Sequence, residues 1–338
     1  MERITLDRFR PEGFLGSGSD YEVHAATDAE TGQLVVVKRP KPDYISRELH
    51  SGVDMLSEAL IDIHASVANS VPGVCRMLGY TDVGSHGSYF DDEIAAEYRA
   101  LVFERARGIP LVADIGDKFK GVPIGLGQNL FALHPAATEV PDGASPVQTQ
   151  LLHVEGSFAA AGHLLLDMRP QNIYYDPAVG RISVIDVGAV PTYGPASQGQ
   201  ASSGGQEQDL HNFFAEVFRF YLSPFPPPLD PAGYGEPYGM RAAPDFGQQV
   251  DGMIDAFLKA EDGDLGHTAT ETLQKVRSRN YTSVEGFGRD LQFCLEAASN
   301  RDNLHGEGNP ALDAWRNARK LLEAPYWKRF LLEESPGA

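Results

Sequence analysis

Residues 163–188, HLLLDMRPQNIYYDPAVGRISVIDVG, constrain this chain more than any other stretch. Asp167 is followed by Arg169 and Asn172, and after one apolar run with a turn comes Asp186-Val187-Gly188. Ile173-Tyr174-Tyr175 is rich in β-formers, Asp176-Pro177-Ala178-Val179-Gly180 carries turn chemistry, and residues 182–185 form a second β-branched run. That order predicts two short antiparallel strands with Asn172 and Asp186 at their ends. One amide oxygen and one carboxylate leave room for phosphate oxygens and water, the ligand set a magnesium ion prefers. An ordinary hairpin with capping Asp and Asn reads from the same residues.

Upstream, Phe14 to Lys38 reads as strand, Gly-rich turn, strand, a turn at Glu30-Thr31-Gly32, and a strand ending on Lys38. Gly16 and Gly18 would let the backbone approach a phosphate closely. Residues 44–69 carry Val53, Leu56, Leu60, Ile63 and Val67 at spacings of three and four, which predicts a helix bearing Glu58, with Glu48 nearer its start. Residues 74–81 and 98–105 read as two more strands of the same sheet, and the Gly/Ser/acidic stretch between them as a surface loop.

Residues 117–146 are Gly- and Pro-rich and read as a long irregular insert. A helix over 147–162 then leads into the Asp167 segment, with His163 at its end as a packing or capping residue. Residues 189–208, rich in Gly, Ser and Gln, read as flexible. Asp209 opens a helix over 211–222, a Pro/Gly loop at 223–239 stops it, and helical patterns follow at 246–259, 268–275, 284–298 and 310–322.

The pattern D-x-R-P-x-N, then a hairpin, then D-x-G resembles the catalytic and metal-binding loops of the protein-kinase-like superfamily. The Gly16-x-Gly18 turn with Val23, followed by a strand ending in Lys38, is similar to that family's glycine loop and strand lysine. Residues 278–285, SRNYTSVE, resemble the run that closes many bacterial Ser/Thr kinase domains, so the likeness is to a divergent bacterial-type Ser/Thr protein kinase domain. It implies an α+β, bilobal fold: a small antiparallel-sheet N-lobe with one helix over 1–105, a larger and mainly helical C-lobe over 106–330, a tail at 331–338, and ATP between the lobes. It implies Asp167 and Arg169 at the reacting phosphoryl group, Asn172 and Asp186 on Mg2+, and Lys38 on the phosphates, held by Glu58. Gly16, Gly18 and Val23 would cover the nucleotide, Phe103 would be the gatekeeper, and the backbone of Glu104 and Ala106 would meet the base.

The sequence departs from the family pattern at Leu165-Leu166, where His-Arg precedes the catalytic Asp, and at Val187, where Phe is usual. Tyr21 replaces the third glycine of the loop, and no Ala-Pro-Glu ends residues 189–208. Losing the Arg argues against control by loop phosphorylation. The functions implied are a phosphotransferase acting on a protein Ser or Thr, a small-molecule kinase, or a pseudokinase acting as a binding module.

Composition narrows the partners. With 47 acidic against 28 basic residues, net charge −19, the surface repels nucleic acid and anionic lipid. Cys75 and Cys294 are too few for a disulfide framework or a zinc site. The opening MERITLDRFRPEG has no apolar signal core, and no apolar run reaches membrane-span length. A soluble, cytoplasmic protein that meets ATP and a protein substrate or partner is the expectation.

Overall fold

The computed structural model describes residues 1–18, 20–43, 50–92, 96–111, 145–165, 167–176, 179–187, 210–225, 245–260 and 263–301. The fold is α+β, and the chain divides into two compact units. One comprises Met1–Ala106 with Asp186–Gly188, the other Arg107–Ile185 with Ala189–Ala338. Expectations for Glu48, Leu166, Gly188, Asp209, the segment 189–208, the helix at 310–322, the tail 331–338 and most of the inserts at 117–146 and 223–239 lie outside the described residues.

The first unit is built on a six-stranded sheet ordered β1-β5-β6-β4-β3-β2. Its strands are β1 (Glu2–Arg3), β2 (Phe9–Ser17), β3 (Tyr21–Asp28), β4 (Leu34–Pro40), β5 (Met77–Tyr80) and β6 (Leu101–Glu104). The sheet is mainly antiparallel, as expected, with one exception: β1 joins β5 in parallel, with Glu2 opposite Gly79. Gly79 makes this approach possible, since a Cβ there would sit 2.7 Å from the Glu2 carbonyl oxygen. Side chains alternate between the two faces of a strand. Ala26, Val35, Val37, Ala100 and Val102 cluster with Leu6 and Phe9 in one core. Burying an aliphatic or aromatic side chain of this size contributes about 1.5–3 kcal/mol.

The single expected helix is α1 (His50–Ser66), and a second, short helix α2 (Gly87–Phe90) joins it. That helix also corrects the reading of residues 82–97 as a surface loop. Tyr89 and Phe90 pack against the core, and the Arg39 guanidinium lies 4.3 Å above the Phe90 ring. Arg39 donates to Glu22 at 2.9 Å and also pairs with Asp92, so a buried cation fastens this segment to the sheet.

The second unit contains a three-stranded sheet of β7 (Ile109–Pro110), β8 (Ile173–Asp176) and β9 (Arg181–Val184). Gly108 is needed where the chain enters it: φ is +82°, and a Cβ would stand 2.0 Å from the Tyr175 carbonyl oxygen. Its helices are α3 (Val147–Ala160), α4 (Leu210–Tyr221), α5 (Phe246–Lys259), α6 (Gly263–Arg277) and α7 (Val284–Arg301). Asp245 caps α5 by accepting from the Gln248 amide at 3.0 Å. The helices meet through an aromatic core, with Phe214 stacked on Phe287 at 4.1 Å and Phe218 edge-on to Phe257 at 6.1 Å. The arginines of the closing run have partners here: Arg277 pairs with Asp251 at 3.0 Å, and Arg279 lies 4.9 Å over the Phe246 ring.

Candidate active site

In the second unit the segment D-M-R-P-Q-N folds on itself for local reasons. Pro170, with its φ preset, opens a single 3-10 turn over Pro170–Asn172, closed by the Asn172 amide donating to the Arg169 carbonyl at 2.9 Å. The turn carries Asn172 back over Asp167, where its Nδ2 donates to the Asp167 backbone oxygen and to Oδ2, both at 3.1 Å. Arg169 Nε meets Asp167 Oδ1 at 2.7 Å. Asp167 adopts φ +67°, a left-handed conformation that costs a non-glycine residue energy and that Asp91 and Arg279 also adopt. The Asp167 side chain is partly exposed, although its Oδ1, beside Arg169, is itself buried. With Nδ2 committed to Asp167, the amide of Asn172 keeps Oδ1 as its free ligand type, the hard oxygen that magnesium takes.

The predicted hairpin follows. Ile173 pairs with Val184 and Asp176 with Arg181, and the Ile185 amide donates to the Asn172 carbonyl at 3.0 Å. Gln150 on α3 braces it, donating to the Gly180 carbonyl at 2.8 Å and accepting from the Ile182 amide at 3.0 Å.

In the first unit Val23, Lys38 and Leu101 stand directly opposite one another across β3, β4 and β6, on the face away from the Val35–Val37 core. Phe103 shares that face, and Lys38 Nζ lies 5.0 Å above its ring. From α1, His64 approaches the same ring at 5.3 Å. Asn69 Nδ2 donates to the Met77 carbonyl at 2.8 Å, which leaves Oδ1 to accept from His64 Nδ1 at 2.9 Å. Burial pushes the His64 pKa down to about 4, the Asn69 bond opposes that, and the charges of Lys38 and Asp186 act on the ring with opposite sign. Lys38 and Asp186 therefore both lie within electrostatic reach of one buried, neutral imidazole. Val187, in the apolar slot after Asp186, is 2% exposed.

Gly16 and Gly18 sit at the end of β2, where Gly16 pairs with Val23 and the Gly18 amide donates to the Tyr21 carbonyl at 2.9 Å. A Cβ on Gly16 would meet nothing within 4 Å, and one on Gly18 only the Tyr21 carbonyl at 4.0 Å. The packing around them thus does not demand glycine at either position. By contrast, Gly13 has φ +139° and serves a bulge in β2. Glu104 pairs with Arg76, and the buried Ala106 ends the first stretch of this unit.

Glu58 is corrected as the partner of Lys38 in this conformation. Its Oε1 lies 3.5 Å from Arg99, and its side chain is 59% exposed. The buried side of α1 is Ser57, Leu60, Ile63 and His64, out of phase with Glu58. Ser57 Oγ hydrogen-bonds the Tyr21 hydroxyl at 2.8 Å, so the residue in the third glycine's place ties the turn to the helix.

Sequence reasoning missed Glu155, Glu216 and Tyr221. The Leu165 amide donates to Glu155 Oε2 at 3.1 Å, and the Tyr221 hydroxyl donates to the Met168 carbonyl at 2.6 Å. Glu216, on α4, lies within electrostatic reach of Asp167 and Arg169, and its pKa is pushed up to about 7, first by burial. A signal existed for Glu155, a carboxylate in register with the fully buried Leu151 and Phe158 on one helical stripe. His163, expected to pack or cap, donates its amide to the Phe158 carbonyl at 2.9 Å at the end of α3.

Among the described residues no three or more His, Cys, Asp or Glu side chains converge as for a metal ion, and no helix is long and apolar enough to cross a membrane. No family model matches the chain, and no curated protein matches it.

Proposed function

We propose that this protein is an ATP-dependent phosphotransferase of protein-kinase-like fold that moves the γ-phosphate of Mg-ATP to a hydroxyl group, a protein Ser or Thr being the acceptor class. The observation that carries the reading is Asp167: a residue in the left-handed region whose half-exposed carboxylate has one oxygen on Arg169 and the other on Asn172. Bound Mg-ATP would supply the phosphoryl group. Asp167 orients the acceptor hydroxyl and takes its proton as charge develops. Arg169 offers guanidinium donors to phosphoryl oxygens. Asn172 and Asp186 would supply amide and carboxylate oxygens to magnesium, and Lys38 would answer the charge of the nucleotide phosphates. Gly16 and Gly18 leave backbone amides approachable, and Val23 offers the base an apolar surface.

A second reading, a nucleotide-binding module without transfer, draws on Glu58 being engaged with Arg99. ATP consumption by the full chain, measured against a protein mixture and a metabolite panel beside Asp167→Ala, separates the two. Turnover that needs a protein acceptor and vanishes in Asp167→Ala supports the phosphotransferase. Equal ATP loss in both chains refutes it.

A further inference from the structure

Side chains that the kinase resemblance does not use tie α1 to the sheet face that carries Val23, Lys38 and Leu101. Tyr21, next but one to Val23 on β3, shares that face. Its carbonyl accepts from the Gly18 amide at 2.9 Å and so closes the glycine turn, while its hydroxyl hydrogen-bonds Ser57 Oγ at 2.8 Å. Both ends of that bond are buried, Ser57 completely. Further along α1, His64 stands edge-on to Phe103 with ring centroids 5.3 Å apart, and Lys38 Nζ lies 5.0 Å above the same Phe103 ring. Asn69 fixes the imidazole. Its Nδ2 donates to the Met77 carbonyl and its Oδ1 accepts from the Met77 amide, both at 2.8 Å, which settles the direction of the side-chain amide. Oδ1 can then only accept at His64 Nδ1, 2.9 Å away, so the imidazole proton sits on Nδ1 and the lone pair on Nε2. Burial keeps the ring neutral. Glu58, the α1 carboxylate that the resemblance would bring to Lys38, reaches Arg99 instead.

We propose that Ser57 and His64 are positioning residues that couple α1 to the nucleotide face: Ser57 holds the glycine turn through the Tyr21 hydroxyl, and His64, oriented by Asn69, backs the Phe103 ring over which Lys38 lies. Both residues belong to the buried stripe of α1, so a helix that shifts or turns on its axis strains both bridges together. A nucleotide that draws on the glycine turn and on the Lys38 ammonium pulls on α1 at two points. By linkage, a well-seated α1 raises the affinity for the nucleotide in return. Calling this face the nucleotide face rests on the proposed function; the two bridges do not.

Backbone amide exchange and imidazole nitrogen spectra of the full chain, both by NMR, read the bridges before any nucleotide is added. Tyr21→Phe and Ser57→Ala are each expected to speed exchange of the α1 amides by roughly 5-fold, and the double variant by little more than either alone. The His64 spectrum should show the proton on Nδ1. The β,γ-imido analogue of ATP, added with magnesium to saturation, should then slow α1 exchange in the wild type and shift the His64 nitrogen signals. His64→Ala should lose most of that added protection and bind the analogue roughly 5-fold more weakly or worse, whereas His64→Phe, which returns a ring to Phe103, should recover both. Tyr21→Phe, which removes only a hydroxyl, should lose the added protection as well and covers the case in which His64→Ala fails to fold. Wild-type α1 exchange in both Tyr21→Phe and Ser57→Ala overturns the proposal, as does a His64 proton on Nε2. So does an analogue that binds the wild type and leaves α1 exchange unchanged, a result that spares the proposed function. If the analogue does not bind the wild type, the proposed function fails and the coupling with it, while the spectra without nucleotide still decide the bridges.

Discussion

Tyr21 illustrates how one side chain changes what a loop can do. In the place of a glycine it sends a buried hydroxyl 2.8 Å from Ser57 Oγ, linking the end of the Gly16–Gly18 turn to α1. Tyr21→Phe leaves the Ser57 hydroxyl buried without that bond and is expected to lower unfolding stability by about 1–3 kcal/mol, read from denaturant midpoints. Ser57→Ala should cost less in the Tyr21→Phe background than in the wild type, because the pair acts as one unit. Single residues were the hardest level to read from sequence. The contacts of Asp167 with Arg169 and Asn172 were legible because they close within one short segment. Glu58 was misread because only the helix phase separates it from Ser57, and Glu216 was hidden because it shares the polar side of α4 with Asn212 and Arg219, where a carboxylate is ordinary.

At the scale of elements, residues 82–92 behave as part of the sheet rather than as a loop laid on it. Arg39 has a side chain 7% exposed and is neutralised by Glu22 and by Asp92, with Phe90 against its guanidinium plane. Asp92→Ala is therefore expected to destabilise the chain by about 3–5 kcal/mol in chemical denaturation, since it strands a buried cation. Asp82→Ala, which removes the open pair between Asp82 and Arg3, should change stability by less than about 1 kcal/mol. The acidic, glycine-rich composition of this stretch gave no hint of docking, because the partner cation lies more than forty residues away on β4. Local periodicity, by contrast, was enough for the helices. The expected 246–259 helix matches α5, and α6 and α7 extend a few residues past the predicted ends because the polar turns at their termini continue the hydrogen-bond ladder. The β8–β9 hairpin was legible for the same reason, its turn and both strands lying within twelve residues.

At the scale of the molecule, each compact unit carries a group whose pKa is displaced, His64 in one and Glu216 in the other, and the two respond to pH in opposite directions. His64 falls from 6.5 to about 4, so unfolding takes up a proton and stability drops as pH falls through that window. Glu216 rises from 4.5 to about 7, so its contribution is present below pH 4.5 and is lost as pH climbs to 7, by up to about 3 kcal/mol. Thermal unfolding against pH should show Glu216→Gln flattening the loss between pH 4.5 and 7 while leaving the acid-side loss in place. The net charge of −19 adds a general repulsion that salt screens, so these comparisons belong at one ionic strength. The most direct test of phosphoryl transfer separates binding from turnover. Magnesium-dependent ATP binding, by calorimetry, and transfer to the best acceptor should be measured on the wild type, Asp186→Ala and Asp167→Ala. The expected result is that Asp186→Ala weakens magnesium-dependent binding, whereas Asp167→Ala binds nearly as the wild type does and no longer transfers phosphate. Transfer at the wild-type rate by both variants would contradict the assignment of the site.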